Sequence, residues 1–87
     1  MKFQKEIIFP YDLNGRAAQR FVQILSSNIF TTIYMEVEDR RINAHSLLGI
    51  LSLGVKKGDK IKFYSDNPSA LDFLSELLKG GMSYENE

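Results

Sequence analysis

The chain has 87 residues, and its 11 basic and 11 acidic side chains give a formal net charge of zero at pH 7. This length predicts a single domain over residues 1–87, and the balanced charge argues against direct binding of nucleic acid or of an acidic membrane surface. The chain contains no cysteine and one histidine, which excludes disulfides, cysteine nucleophiles and a zinc site. No apolar run approaches the roughly 20 residues of a membrane helix, and the amino terminus lacks a signal-peptide core. We therefore expect a cytoplasmic protein.

The first half of the chain predicts a strand, a helix and a β-hairpin. Residues 3–9 alternate between apolar and polar side chains, which is typical of a strand. Apolar residues recur at helical spacing over residues 16–27, and Asn14 is the candidate N-cap of that helix. Residues 31–38 alternate as a second strand. The short polar segment after them predicts a tight turn to a third strand around residues 41–43.

The second half of the chain predicts a short helix, a fourth strand and a final helix. Residues 60–65 alternate as a strand, and residues 66–69 begin a helix with one apolar stripe. The stripe consists of Ala70, Leu71, Leu74, Leu77 and Leu78. Residues 79–81 end this helix, and the polar residues 82–87 are expected to be frayed. The order β-α-β-β-α-β-α favours an α+β fold, a two-layer sandwich in which the helices cover one face of a sheet.

The short helix between the third and fourth strands is the densest apolar segment of the chain. Ser46 stands where a helix takes its N-cap, and Gly54 stands where a helix ends. The five large apolar side chains between them cannot all face one way. Three are predicted to face the core and two to remain exposed. The core set is Leu47, Ile50 and Leu53, and the exposed pair is Leu48 and Leu51.

Residues 43–55 read Asn-Ala-His-Ser-Leu-Leu-Gly-Ile-Leu-Ser-Leu-Gly-Val. This segment resembles the regulatory-serine segment of the histidine-containing phosphocarrier protein (HPr) family of the bacterial sugar phosphotransferase system, in which lysine commonly stands at the position of His45. A second match covers residues 16–23, and the resemblance extends over nearly the whole chain. It implies an open-faced two-layer sandwich, with a four-stranded antiparallel sheet and three helices on one face.

The chain departs from this family in the phosphocarrier loop. The family reads Gly-Ile-His-Ala-Arg-Pro-Ala, whereas residues 12–18 read Asp-Leu-Asn-Gly-Arg-Ala-Ala. Arg16 is kept, but Asn14 stands at the phosphoryl-accepting histidine and Ala17 at the proline. An asparagine amide is not nucleophilic, so the resemblance implies that this chain cannot carry phosphohistidine. The side-chain oxygen of Asn14 can still cap the helix.

The catabolite-repression branch of the family (Crh) also lacks the active histidine and retains the serine. In that branch a bifunctional HPr kinase/phosphorylase phosphorylates the serine, and the phosphoprotein is a corepressor for a LacI-type transcription factor. The resemblance therefore implies a non-catalytic regulatory protein that is phosphorylated on Ser46 and binds that transcription factor or a metabolic enzyme. A phosphate there would face the amino terminus of a helix, where it is tolerated. Ser46 read without the resemblance is only an N-cap.

The resemblance also suggests which residues contact partners. The leucines are Leu47, Leu48 and Leu51, of which Leu47 is also a core candidate. Arg16 would contact an acidic group of a partner or the phosphate on Ser46 of another chain. His45 is expected to be exposed, and its cationic form would favour a phosphate on Ser46.

Catalytic residues, metal ligands and cofactors are not predicted. Glu36 and Glu38 point outward from the second strand and are expected to form a solvated face rather than an acid–base pair. Two alternatives remain open, namely a phosphocarrier that uses another acceptor residue and a degenerate interaction module that no kinase recognises. We expect a monomer or a weak homodimer formed by strand exchange, for which residues 10–15 could act as the hinge.

Overall fold

The computed structural model describes residues 2–79, and its elements follow the predicted order. They are β1 (Phe3–Ile8), α1 (Gly15–Asn28), β2 (Tyr34–Val37), β3 (Arg40–Asn43), α2 (Leu47–Leu53), β4 (Lys60–Ser65) and α3 (Pro68–Lys79). The four strands form one antiparallel sheet in the order β1-β4-β2-β3. The predicted end of the last helix at residues 80 and 81 and the predicted frayed tail at residues 82–87 lie outside the described residues.

The two faces of the sheet differ in polarity because side chains alternate along each strand. Ile61 and Phe63 of β4 are fully buried, as is Met35 of β2, which pairs with Phe63. The next residues along the strands form a row of alternating charge on the opposite face, since the register aligns Glu6 with Lys62, Lys62 with Glu36, and Glu36 with Arg41. The register therefore gives the sheet one apolar face and one charged face.

Helices α1 and α3 each bury one stripe, as predicted from their spacing. Buried on α1 are Ala17, Ala18, Phe21 and Leu25, and buried on α3 are Ala70, Leu71, Leu74 and Leu78. Leu77, also predicted for the stripe, is partly buried against the core. Phe9 joins α1 to the end of β1, because its ring makes an edge contact with Phe21 at a centroid distance of 5.6 Å. The small side chains of Ala17 and Ala18 allow this helix to lie close to its neighbours.

Strand β2 is shorter than the predicted segment 31–38. Thr31 and Thr32 are exposed and belong to the loop after α1. Glu38 ends the strand because it takes a left-handed backbone conformation, with φ of 56°. It is the first of two residues between the paired positions Val37 and Arg40, and a two-residue hairpin loop requires positive φ there.

The prediction that Glu36 is simply a solvated side chain is wrong. Glu36 is half-buried, and its Oε1 accepts hydrogen bonds from Nε and Nη2 of Arg41 at 3.2 and 2.9 Å. The guanidinium of Arg41 also lies 4.1 Å from the centre of the Tyr64 ring. Its hydrogen bond holds the pKa of the Glu36 carboxyl below the ordinary value. These three side chains form one cluster across β3, β2 and β4, which the strand pairing brings together.

Candidate functional site

Ser46 begins α2 in the manner predicted. Its backbone is extended, with φ of −98° and ψ of 111°, and its Oγ accepts a hydrogen bond from the amide of Gly49 at 3.0 Å. Gly54 follows the last residue of α2 in the left-handed conformation, with φ of 64° and ψ of 39°. A serine N-cap and a left-handed glycine at the other end satisfy the backbone groups that a short helix leaves free. The Ser46 hydroxyl therefore lies at a defined position at the start of the helix.

Gly49 lets α2 lie directly against β3. A Cβ atom at this position would come within 3.2 Å of Cβ of Ile42 and within 3.1 Å of Oγ of Ser46. Both distances are shorter than ordinary van der Waals contact. The absence of a side chain at Gly49 therefore permits both the close packing on β3 and the geometry of the serine cap.

The leucines of α2 divide between core and surface as predicted. Ile50 is fully buried, and Leu47 and Leu53 are partly buried against the core. Leu48 is 79% exposed and Leu51 is 40% exposed. Two large apolar side chains thus reach solvent from a helix of seven residues, within a turn or two of the Ser46 hydroxyl.

Arg40 contacts the last turn of α2, although no sequence pattern indicated it. Its Nη2 donates a hydrogen bond to Oγ of Ser52 at 3.1 Å, and Ser52 in turn donates to the carbonyl oxygen of Gly49 at 2.6 Å. The contact depends on how the hairpin β2–β3 is placed against α2, which spacing along the chain does not encode. The outer surface of α2 therefore combines apolar side chains with a fixed guanidinium.

His45 is half-buried, so the prediction that it is exposed is wrong. Its Nε2 lies 3.2 Å from the carbonyl oxygen of Ile29, the residue that caps the carboxyl end of α1. Its backbone amide donates to Oδ1 of Asn43 at 2.8 Å. The residue before Ser46 is therefore attached both to β3 and to the end of α1.

Asn14 occupies the predicted N-cap position of α1, but its side chain makes no capping hydrogen bond, so this part of the prediction is wrong. The side chain is exposed, where water can satisfy the amides at the helix start. The loop before α1 is instead held by hydrogen bonds to the segment that follows α2. The amide of Leu13 donates to the carbonyl of Val55 at 2.9 Å, and Asp12 Oδ1 accepts from the amide of Lys57 at 2.9 Å.

Arg16 and Ser46 lie at opposite ends of this region. Arg16 is exposed on the first turn of α1, next to the loop that contacts Val55 beyond the end of α2. Ser46 stands before α2, and this seven-residue helix spans about 10 Å. The structure thus brings His45, Ser46, Leu48 and Leu51 together at α2 and leaves Asn14 and Arg16 at its far end.

The described residues 2–79 were compared with the requirements of a metal site and of a membrane span. They contain no group of three or more histidine, cysteine, aspartate or glutamate side chains that could hold a metal ion. Within the same residues, every helix is too short or too polar to span a bilayer.

Comparison with known proteins identifies the family. A family model described as the PTS HPr component phosphorylation site matches residues 1–79. The chain belongs to the HPr family. Relatives of similar sequence include the phosphocarrier protein HPr of Neisseria meningitidis, 29% identical over 83 residues that make up 92% of each chain. They also include the HPr-like protein Crh of Bacillus subtilis, 29% identical over 73 residues, or 83% of this chain and 84% of that one.

Solved structures of HPr proteins share the fold. HPr-C-His from Thermoanaerobacter tengcongensis superposes with a TM-score of 0.72 at 32% identity, over 91% of this chain and 92% of that one. HPr from Bacillus anthracis superposes with a TM-score of 0.74 at 28% identity, over 88% of this chain and 93% of that one. The open-faced α+β sandwich expected from the sequence is therefore confirmed.

Proposed function

We propose that this chain is a non-catalytic regulatory member of the HPr family, switched by phosphorylation of Ser46. The modifying enzyme is an HPr kinase/phosphorylase. The phosphoprotein then binds a LacI-type transcription factor, or a metabolic enzyme, as a corepressor in carbon catabolite regulation. These partners place it in the cytoplasm.

The observation that carries the proposal is the position of the Ser46 hydroxyl beside an apolar surface. Its Oγ accepts one hydrogen bond, from the amide of Gly49, and the exposed side chains of Leu48 and Leu51 follow on the same short helix. A phosphate there adds about two negative charges and three acceptor oxygens, which an arginine of a partner can bind in a bidentate manner. The leucines would supply an apolar contact with the partner, and the phosphate would supply a polar contact that exists only when Ser46 is phosphorylated.

The loss of the phosphocarrier activity is the second half of the proposal. Asn14, at the position that the motif gives to histidine, presents an exposed amide at the start of α1. An amide nitrogen does not attack phosphorus, so this position would keep its place in the fold without accepting a phosphoryl group. HPr-family phosphocarriers are themselves carriers rather than catalysts, which supports a non-catalytic role for this chain.

Phosphorylation with purified HPr kinase/phosphorylase and ATP tests the switch. We expect one phosphate per chain in the wild type, none in Ser46→Ala, and none in Ser46→Asn, which keeps an N-cap side chain and removes the hydroxyl. Ser52→Ala is the matched control, because Ser52 lies on the same helix and should leave incorporation unchanged. Absence of phosphate in the wild type would refute the proposal.

The alternative is a phosphocarrier that uses another acceptor, and the similarity to the phosphocarrier HPr of Neisseria meningitidis favours it. The one imidazole of the chain is His45, whose Nε2 is engaged with Ile29. Incubation with phosphoenolpyruvate and the general phosphotransferase enzyme of the system separates the two functions. Acid-labile phosphate on the wild-type chain, and its loss in His45→Gln, would support the carrier and contradict our proposal.

A further inference from the structure

The imidazole of His45 is held in one orientation next to Ser46. Its Nε2 lies 3.2 Å from the carbonyl oxygen of Ile29. A carbonyl oxygen can only accept, so Nε2 carries a hydrogen and donates it, and Nδ1 is the nitrogen left to gain or lose a proton. The bond to Ile29 is thus present in both protonation states, and titration changes the charge of the ring without releasing it.

The ring of His45 lies against the carboxyl end of α1. Ile29 caps the carboxyl end of α1, a helix of 14 residues with no basic side chain in its last turn. The imidazolium form of His45 would therefore supply a cation to the negative end of α1 from a neighbouring segment. The depression around the ring is lined from α1, the following loop and β3 by residues without ionisable side chains, namely Ser26, Ile29, Phe30, Thr31, Thr32 and Asn43.

We propose that His45 makes phosphorylation of Ser46 proton-linked, so that the phosphorylated chain holds a proton on Nδ1 of His45 more tightly than the unmodified chain does. This inference rests on the phosphorylation proposed above. The two residues are neighbours in the chain, and their Cα atoms are about 3.8 Å apart, which is shorter than the Debye length of about 8 Å at physiological ionic strength. A phosphate dianion at that distance favours the imidazolium ring, and the ring favours the dianion equally.

The linkage has a definite sign. When the phosphorylated chain binds its proton more tightly, the phosphorylated state is favoured at low pH, where the ring is charged, and this advantage is lost as the pH rises and the ring becomes neutral. An upward shift of the histidine titration by about 0.5 to 1 pH unit corresponds to a three- to tenfold change in the phosphorylation equilibrium across the titration. A lysine at this position would stay charged throughout and would give no such dependence.

The test uses phosphoserine introduced at position 46 during translation, so that no kinase is needed. Because the chain has one histidine, its Cε1–H proton gives a single resonance that can be followed against pH by NMR. We expect the midpoint to move upward by about 0.5 to 1 pH unit relative to the unmodified chain, and the shift to shrink in 1 M salt. Phosphoserine at position 52, at the other end of α2, is the matched control and should produce a smaller shift.

The reciprocal measurement follows the phosphate by ³¹P NMR. The phosphate dianion should gain its first proton at lower pH in the wild type than in His45→Gln, whose amide can still donate to Ile29 but carries no charge. Equal histidine midpoints with and without phosphate, or equal phosphate midpoints in the two chains, would overturn the inference. Failure of the kinase to modify Ser46 would refute the proposed function and leave these two measurements unaffected, so the two failures are distinguishable.

Discussion

Replacing Gly49 with alanine tests how tightly α2 is packed at the candidate site. An alanine in the middle of a helix is favoured over glycine by about 1 kcal/mol. Against this, the new methyl would lie 3.2 Å from Cβ of Ile42 and 3.1 Å from Oγ of Ser46. Relief of the first contact requires a shift of α2 or β3, at about 1 to 3 kcal/mol for overpacking. Relief of the second disturbs the serine cap, worth about 1 kcal/mol.

The expected net effect of Gly49→Ala is a loss of about 1 to 3 kcal/mol in the free energy of unfolding. Urea denaturation followed by circular dichroism measures it, and an unchanged m-value would show that the two-state transition is preserved. The matched control is Gly15→Ala at the first position of α1, where a Cβ atom meets nothing within 4 Å. This control should gain up to about 1 kcal/mol. A Gly49→Ala chain as stable as Gly15→Ala would refute the close packing of α2 on β3.

Two further predictions concern the exposed leucine and the ion pair on the sheet. Leu48→Ser should change the free energy of unfolding by less than about 0.5 kcal/mol, because this side chain is already 79% exposed. Calorimetry should nevertheless show that the phosphorylated variant binds its LacI-type partner at least about tenfold more weakly than the phosphorylated wild type does. Ile8→Ser, also exposed but on β1, should bind normally, and an equal loss there would contradict a docking surface at α2. Arg41 lowers the pKa of Glu36 in the folded chain. The ion pair between them therefore stabilises the fold at neutral pH, and this stabilisation is lost as the pH falls through the pKa of Glu36 in the folded chain. The stability difference between wild type and Glu36→Gln in urea should therefore shrink from pH 7 to pH 3, and a difference that widens on acidification would exclude the ion pair as its source.

Local signals predicted α2 well because its determinants lie within the helix itself. A serine hydroxyl that can accept from the amide three residues later, and a glycine that can adopt positive φ, are properties of Ser46 and Gly54 wherever they occur. The alternation of β4 likewise predicted the burial of Ile61 and Phe63, because period-two patterning survives packing. These features needed no knowledge of which segments are neighbours in space.

Most of the wrong predictions concern contacts between segments that are distant in the chain. The position of His45 depends on where α1 ends relative to β3, and the pairing of Arg40 with Ser52 depends on how the hairpin lies against α2. The half-burial of Glu36 follows from a register that places it between Lys62 and Arg41. Asn14 was identified at the right position, but an exposed N-cap leaves its side chain free to be hydrated, so propensity alone does not specify the hydrogen bond.

The strand order has a consequence for how the chain reaches this fold. Strand β4 lies between β1 and β2 although it follows both in sequence. The hairpin β2–β3 can pair as soon as it is synthesised, whereas β1 has no partner until residues 60–65 have left the ribosome. Closing a segment of that length delays folding and leaves a strand edge open to other chains. The last third of the sequence therefore decides whether β1 is completed within its own chain or by a strand from a neighbouring one.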